Sequence, residues 1–197
     1  MKKIILATTN QNKINEFKEL LYKEKIEVIS QKNLNIEKVV ESAPTFIENA
    51  LIKARHASKS GFPALADDSG LIIKMLNGKP GVYSSRFCGA LSTDKSNIEK
   101  VLKEMSNFKM SERNAQLYCA LAYVRFPEDP IPIVVEGSLN GVIAKFISKS
   151  KNGFGYDPIF FLINHNKMLS ELTLKEKTRI SHRSKAIKKM INKIIYS

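Results

Sequence analysis

Lys3-Ile4-Ile5-Leu6-Ala7, followed at once by Thr8-Thr9-Asn10-Gln11-Asn12-Lys13, is the stretch from which the fold is read. The apolar run predicts a buried strand and the polar run a turn. From about Lys13 the residues Ile14, Phe17, Leu20 and Leu21 recur at helical spacing. Strand, loop and helix in that order are a building unit of α/β sheets. Moving outward, Thr45 to about Ser60 predicts a second helix. Pro44 precedes it, Thr45-x-x-Glu48 has the form of a capping box, and Ile47, Ala50, Leu51 and Ala54 share one face before Gly61-Phe62-Pro63 ends it.

Ala64-Leu65-Ala66 and Leu71-Ile72-Ile73 read as two strand pieces joined by a polar turn or bulge at Asp67-Asp68-Ser69-Gly70. Ile98, Val101, Leu102 and Met105 mark another helix. Ala115 to Phe126 predicts a strand, with Ile131 to Glu136 returning antiparallel after Pro127-Glu128-Asp129-Pro130 and the extended pattern continuing from Gly137 to Ile147. Thr173-x-x-Glu176 caps a short helix, and Ala186, Ile187, Met190, Ile191 and Ile194 form the core face of the last one. The class is mixed α/β, a single domain over residues 1–197 without repeats, low-complexity tracts or a linker.

Composition narrows the partners. With 197 residues, 43% hydrophobic and 26% charged, the chain can bury a core, which excludes wholesale disorder. The net charge of +13 raises a basic nucleic-acid-binding module as the alternative function. Against it, the cations are 26 Lys and only 6 Arg, scattered along the chain beside 22 Ile and 15 Asn, a joint excess that reads as compositional drift. Cys88 and Cys119 have neither CxxC partners nor dense spacing, so no disulfide framework or zinc site is indicated. The opening residues turn polar before a signal-peptide core forms, and no apolar run nears the roughly 18 residues of a membrane span. A cytoplasmic protein is expected.

Four segments carry candidate chemistry. Thr8, Thr9, Asn10, Gln11, Asn12 and Lys13 lie between a strand and a helix N-terminus, where unpaired N–H groups and the dipole favour a phosphate; a helix cap made by Asn12 or a neighbour explains the same residues. Asp67 and Asp68 are two of only five Asp in the chain, adjacent between segments that should be buried. Paired carboxylates there need a cation, donors or a proton, and oxygen-only ligands suit Mg²⁺; an Asx turn is the plain alternative. Glu41 is a possible second ligand, by itself a surface carboxylate.

In Asn152-Gly153-Phe154-Gly155-Tyr156-Asp157-Pro158, two glycines let backbone approach a ligand while an aromatic face stacks on a base, or else the bend tucks both rings into the core. Ser181-His182-Arg183 opens the last helix, with Lys177 one turn earlier; donors gathered there suit a keto oxygen.

Taken in order, Thr8-x-Asn10-x-x-Lys13, Phe46-Ile47-Glu48-Asn49-Ala50, Ala66-Asp67-Asp68-Ser69-Gly70-Leu71, Pro80-Gly81-Val82-Tyr83-Ser84-Ser85-Arg86, Phe154-Gly155-Tyr156-Asp157-Pro158 and Ser181-His182-Arg183 resemble the inosine/xanthosine triphosphate pyrophosphatases over essentially the whole chain. The resemblance implies an elongated mixed central sheet with flanking helices, two lobes with the active-site cleft between them, and a cytoplasmic homodimer. It implies Mg²⁺-dependent hydrolysis of ITP, dITP and XTP to the monophosphate and pyrophosphate, with no membrane and no specific nucleic acid involved. A related pyrophosphatase for modified pyrimidine nucleotides is a further reading. By position, Thr8 to Lys13 grip the triphosphate, and Glu41 and Asp68 hold the metal. Asp68 accepts the proton of the attacking water. Ser69 and Lys177 contact substrate, Phe154, Gly155, Tyr156 and Asp157 frame the base, and His182 and Arg183 read its keto edge. On that reading, loss of Arg183 affects base preference more than folding.

Overall fold

In the computed structural model, which describes residues 2–22, 24–150 and 152–195, β1 (Lys2–Leu6) leads through α1 (Gln11–Tyr22) to β2 (Ile26–Ser30). The chain then passes through α2 (Phe46–Ser58) to β3 (Ala64–Ile73). β1 pairs in parallel with both β2 and β3 and lies between them, so the chain that crosses from β1 outward to β2 crosses back past β1 to reach β3, and the direction of winding reverses there. In open α/β sheets, ligands bind outside the carboxyl end of a strand at such a reversal. Thr8, Thr9 and Asn10 leave β1 at that end.

The remaining elements are α3 (Asp94–Glu104), β4 (Asn114–Val124), β5 (Ile133–Ile143), β6 (Phe160–Leu162), β7 (Lys167–Met168), α4 (Leu174–Ile180) and α5 (His182–Ile195). The sheet has the order β2-β1-β3-β4-β5-β6-β7, and the antiparallel pairing of β6 with β5 and β7 makes it mixed, as expected. Among the described residues no helix is long and apolar enough to cross a membrane.

The chain divides into two compact units: Met1–Asp68, Cys119–Gly137 and His182–Ser197 in the first, and Ser69–Tyr118 and Ser138–Ser181 in the second. β3, β4 and β5 each contribute residues to both. In the first unit, Ile14, Phe17 and Leu21 of α1 and Ile187, Met190 and Ile194 of α5 bury their apolar faces with Ile4, Leu6 and Leu65 of the strands. Each such side chain contributes about 1.5–3 kcal/mol of burial. In the second, Ile98, Val101 and Met105 of α3 pack with Leu71, Ile73, Ile143 and Phe160.

The predicted caps form where their sequences place them. Thr45 accepts the Glu48 N–H at 3.2 Å, and Thr173 and Glu176 make a reciprocal capping box. Several element ends shift by a residue or two, and three departures have a visible cause. β3 is one continuous strand through Asp67-Asp68-Ser69-Gly70, where the composition predicts two pieces joined by a turn or bulge. The Asp, Ser and Gly composition that favours a turn is overridden, because both Asp side chains find cationic partners and the backbone keeps its ladder. The extended run from Gly137 stops at Ile143 rather than Ile147; the next carbonyl, that of Ala144, accepts from the buried Arg113 guanidinium. α1 starts at Gln11 because Asn10 Oδ1 accepts the N–H groups of Asn12 and Lys13.

One glycine sets the entry to α5. A Cβ on Gly137 would stand 2.1 Å from the His182 carbonyl oxygen and 2.7 Å from the Ala186 nitrogen. Only a residue without a side chain lets β5 lie against the helix end that carries His182 and Arg183.

Candidate active site

The first unit holds the acidic cluster. Successive strand side chains point to opposite faces, so Asp67 and Asp68 turn away from each other and meet different cations. Asp67, 1% exposed, accepts from Lys13 Nζ at 3.0 Å and from Arg183 Nε at 3.2 Å. Arg183 Nη1 in turn donates to Glu16 Oε2 at 2.6 Å, inside the protein. Asp68 accepts from Lys53 Nζ at 2.8 Å, and the same ammonium donates to Glu41 Oε1 at 2.8 Å. Asp68 Oδ2 is buried and has no hydrogen-bond partner among the described residues.

The pair therefore titrates in opposite directions. Burial pushes the Asp67 carboxyl up, but Lys13, then Arg183 and Lys53, outweigh it and hold the group well below the ordinary carboxylate range. For Asp68, burial is the dominant influence and Lys53 does not fully offset it; with the Glu41 charge added, the carboxyl lies above its ordinary value. Lys53 is drawn down by burial, yet Asp68, Asp67 and Glu41 raise it, so it stays a fixed cation. Composition and spacing alone left Asp67 and Asp68 interchangeable. Strand alternation separates them, leaving one saturated with cations and the other with a spare buried oxygen.

Elements fix each partner. Lys13 and Glu16 are one helical turn apart on α1, and Lys53 lies one turn beyond Asn49 on α2. Asn49, fully buried, accepts the Ala43 N–H at 3.0 Å and donates to its carbonyl at 3.1 Å, tying the segment that carries Glu41 to the helix. In the loop after β1, Thr8 Oγ1 accepts the Asn10 N–H at 3.2 Å and Asn10 caps α1, while Thr9, Gln11 and Asn12 are exposed. The capping alternative is thus realised by Asn10, on the residues proposed to meet phosphate.

The second unit holds the aromatic loop. Lys177 Nζ, on α4, lies 2.5 Å from Asp157 Oδ2 and 4.5 Å from the Phe154 ring centroid, a cation–π contact. Asp157 Oδ2 also accepts the Phe154 N–H at 3.0 Å. Gly153 is required beside it: its φ is +86°, and a Cβ there would be 2.6 Å from that carboxylate oxygen. Tyr156 is buried and donates to the Ser84 carbonyl at 2.8 Å, whereas Phe154 is only half-buried. Of the two readings of this bend, Tyr156 follows the core one, while Phe154 stays partly exposed. Ser69 is half-buried in β3 directly after Asp68.

Lys53 and Glu16 were missed from sequence. A lysine on a helix reads as a solvated charge, and only the one-turn spacing from Asn49, within the Phe46 to Ala50 motif, hinted at Lys53. Arg183 is a correction of emphasis. It is 2% exposed and ion-paired to two buried carboxylates, so removing it takes a cation from both, and this burial weighs against the expectation that base preference suffers more than folding.

A model of the Ham1 family matches residues 4–193. A dITP/XTP pyrophosphatase of Wigglesworthia glossinidia brevipalpis is 61% identical over 191 residues, covering 97% of this chain and 96% of that protein. One of Escherichia coli (strain K12) is 44% identical over 193 residues, covering 98% of each. Among solved structures, a HAM1 protein from Coxiella burnetii superposes with a TM-score of 0.92 at 42% identity, covering all of both chains. A nucleoside-triphosphatase / dITP/XTP pyrophosphatase from Mycobacterium abscessus gives 0.76 at 38% identity, covering 95% of this chain and 98% of the other. A saturated Asp67, a spare oxygen on Asp68 and a lysine-backed aromatic loop thus occur in a chain that matches one family almost end to end: it belongs to the Ham1 family.

Proposed function

We propose that the chain, acting as a single catalytic domain, hydrolyses deaminated purine nucleoside triphosphates (ITP, dITP and XTP) to the nucleoside monophosphate and pyrophosphate. The names of its relatives give the reaction and substrate class. The buried Asp68 oxygen without a hydrogen-bond partner is the structural observation that carries the reading. A carboxylate whose burial raises its proton affinity, with one oxygen still available, suits the role of proton acceptor for the attacking water. Asp67, saturated by Lys13 and Arg183, instead aims those cations.

The donor set fits Mg²⁺, which takes one or two carboxylates and completes its shell with water and substrate phosphates. Glu41 and Asp68 would hold it, and among the described residues no group of three or more His, Cys, Asp or Glu offers a self-sufficient site that would suit another metal better. When bound, the ion would screen phosphate charge and make water more acidic. Thr8, Thr9, Asn10, Gln11, Asn12 and Lys13 grip the triphosphate, and Ser69 and Lys177 contact the substrate. Phe154 stacks on the base, framed by Gly155, Tyr156 and Asp157. His182 and Arg183 face its keto edge, Arg183 with its orientation preset by Glu16 and Asp67. An adenine amino group would leave these donors facing donors, which disfavours ATP. A homodimer in the cytoplasm belongs to the same proposal.

The test is pyrophosphate release from dITP, XTP and ATP, with and without Mg²⁺. Turnover with steep preference for the keto purines is expected. An inert protein, release of orthophosphate alone, or tight salt-sensitive DNA binding without turnover would overturn the reading.

A further inference from the structure

The aromatic loop has a second carboxylate anchor that lies outside the loop and is not needed for its charge balance. Asp94, the first residue of α3, accepts the Gly155 N–H through Oδ2 at 2.7 Å. Gly155 adjoins Phe154, whose own N–H goes to Asp157, so two consecutive amides of the bend are each held by a carboxylate. The third consecutive residue, Tyr156, is held through its hydroxyl by the Ser84 carbonyl. Ser84 itself is fixed by its hydroxyl, which donates to the Gly81 carbonyl and accepts the Leu71 N–H. The Pro80 to Arg86 motif, which the catalytic reading leaves without a task, and the start of α3 thereby become the loop's mount.

We infer that Asp94 is a positioning residue for the base-binding ring: by holding the Gly155 amide it fixes where Phe154 presents its face. The inference rests on the proposed role of Phe154 as base partner. Asp94 is exposed, and Thr93 with Ser96 caps α3 independently of it, so the side chain can be changed without unmaking the helix. Its hydrogen bond reaches 61 residues along the chain, beyond the needs of local capping.

Two variants separate the amide contact from the favourable effect of a negative charge at a helix N-terminus. Asp94→Ala loses both, whereas Asp94→Asn loses the charge and keeps an oxygen that accepts the amide. Asp94→Ala should raise KM for dITP about tenfold with a smaller change in kcat, and Asp94→Asn should recover most of the loss. Equal KM values for the two variants, or a wild-type KM in Asp94→Ala, would overturn the inference.

A reading independent of turnover comes from the absence of tryptophan in the chain. Phe154→Trp creates a single emitter on the loop. Adding Asp94→Ala to it should increase acrylamide quenching and lower the anisotropy, and adding Asp94→Asn should do so much less. Unchanged quenching refutes the positioning role whatever the activity. Increased quenching in a protein whose wild type leaves dITP intact would retain that role and discard the proposed function instead.

Discussion

The acidic stretch of β3 and the aromatic bend at 153–157 both place a carboxylate beside a cation inside the protein, but only in the bend does the carboxylate also hold the backbone. In β3 the backbone is held by the sheet, so Asp67 and Asp68 are left to meet cations on side chains: Lys13 and Arg183 on one face, Lys53 on the other. In the bend no ladder exists, and Asp157 and Asp94 accept the main-chain amides of Phe154 and Gly155. Where the backbone is already satisfied, a buried acid organises charge; where it is not, an acid organises the chain itself. The first arrangement suits chemistry on phosphate and the second suits holding a ring in place.

The largest break expected between the regions is in turnover. Asp68→Asn should lower kcat with dITP by on the order of a thousandfold while the circular dichroism spectrum stays that of the parent, because the amide matches the carboxylate in shape. An active variant would remove Asp68 from the proton-accepting role. Arg183→Ala comes next, and its damage should fall on stability. Leaving Glu16 and Asp67 buried without it costs about 3–5 kcal/mol, to be read from urea unfolding. A loss below about 1 kcal/mol would mean that the two carboxylates are hydrated or protonated in the folded protein.

In the bend the balance should invert. Phe154→Ala should weaken binding by about 2 kcal/mol, roughly thirtyfold in KM, with little change in unfolding free energy, since the ring is only half-buried. Comparable losses of binding and stability would make Phe154 a core residue after all.

The smallest contrast lies within the acidic pair and appears on acid titration. Without a metal bound Asp68 is raised, mainly by burial, so activity at limiting Mg²⁺ should fall with an apparent pKa above the ordinary carboxylate value of about 4. Protonating it relieves its burial cost and so takes nothing from the fold. Asp67 is lowered despite its burial by Lys13, Arg183 and Lys53, so its stabilisation is fully present above about pH 4 and is lost only as the pH drops further, through its folded-state value. Activity should therefore disappear before ellipticity does. Coincident curves of kcat and ellipticity against pH would contradict the separation.

Much of this was legible in one dimension. The apolar spacings of α1, α2, α3 and α5, the Thr45 and Thr173 caps and the mixed class follow from local rules: a helix face must repeat every third or fourth residue, and an orphan amide needs a nearby acceptor. The ordered motifs likewise marked the loop after β1, the acidic pair and the aromatic bend as the residues to watch. Asp67-Asp68-Ser69-Gly70 is where local reading failed. Its composition asks for a turn, and it is a strand only because Lys13, Lys53 and Arg183, distant in sequence, supply the compensating charge. Which of two adjacent acids is saturated, why a lysine on α2 and a glutamate on α1 belong to the site, and why Arg183 supports the fold were decided by tertiary structure alone. The free energy of a buried charge depends on the groups that surround it in space, and sequence spacing does not encode them.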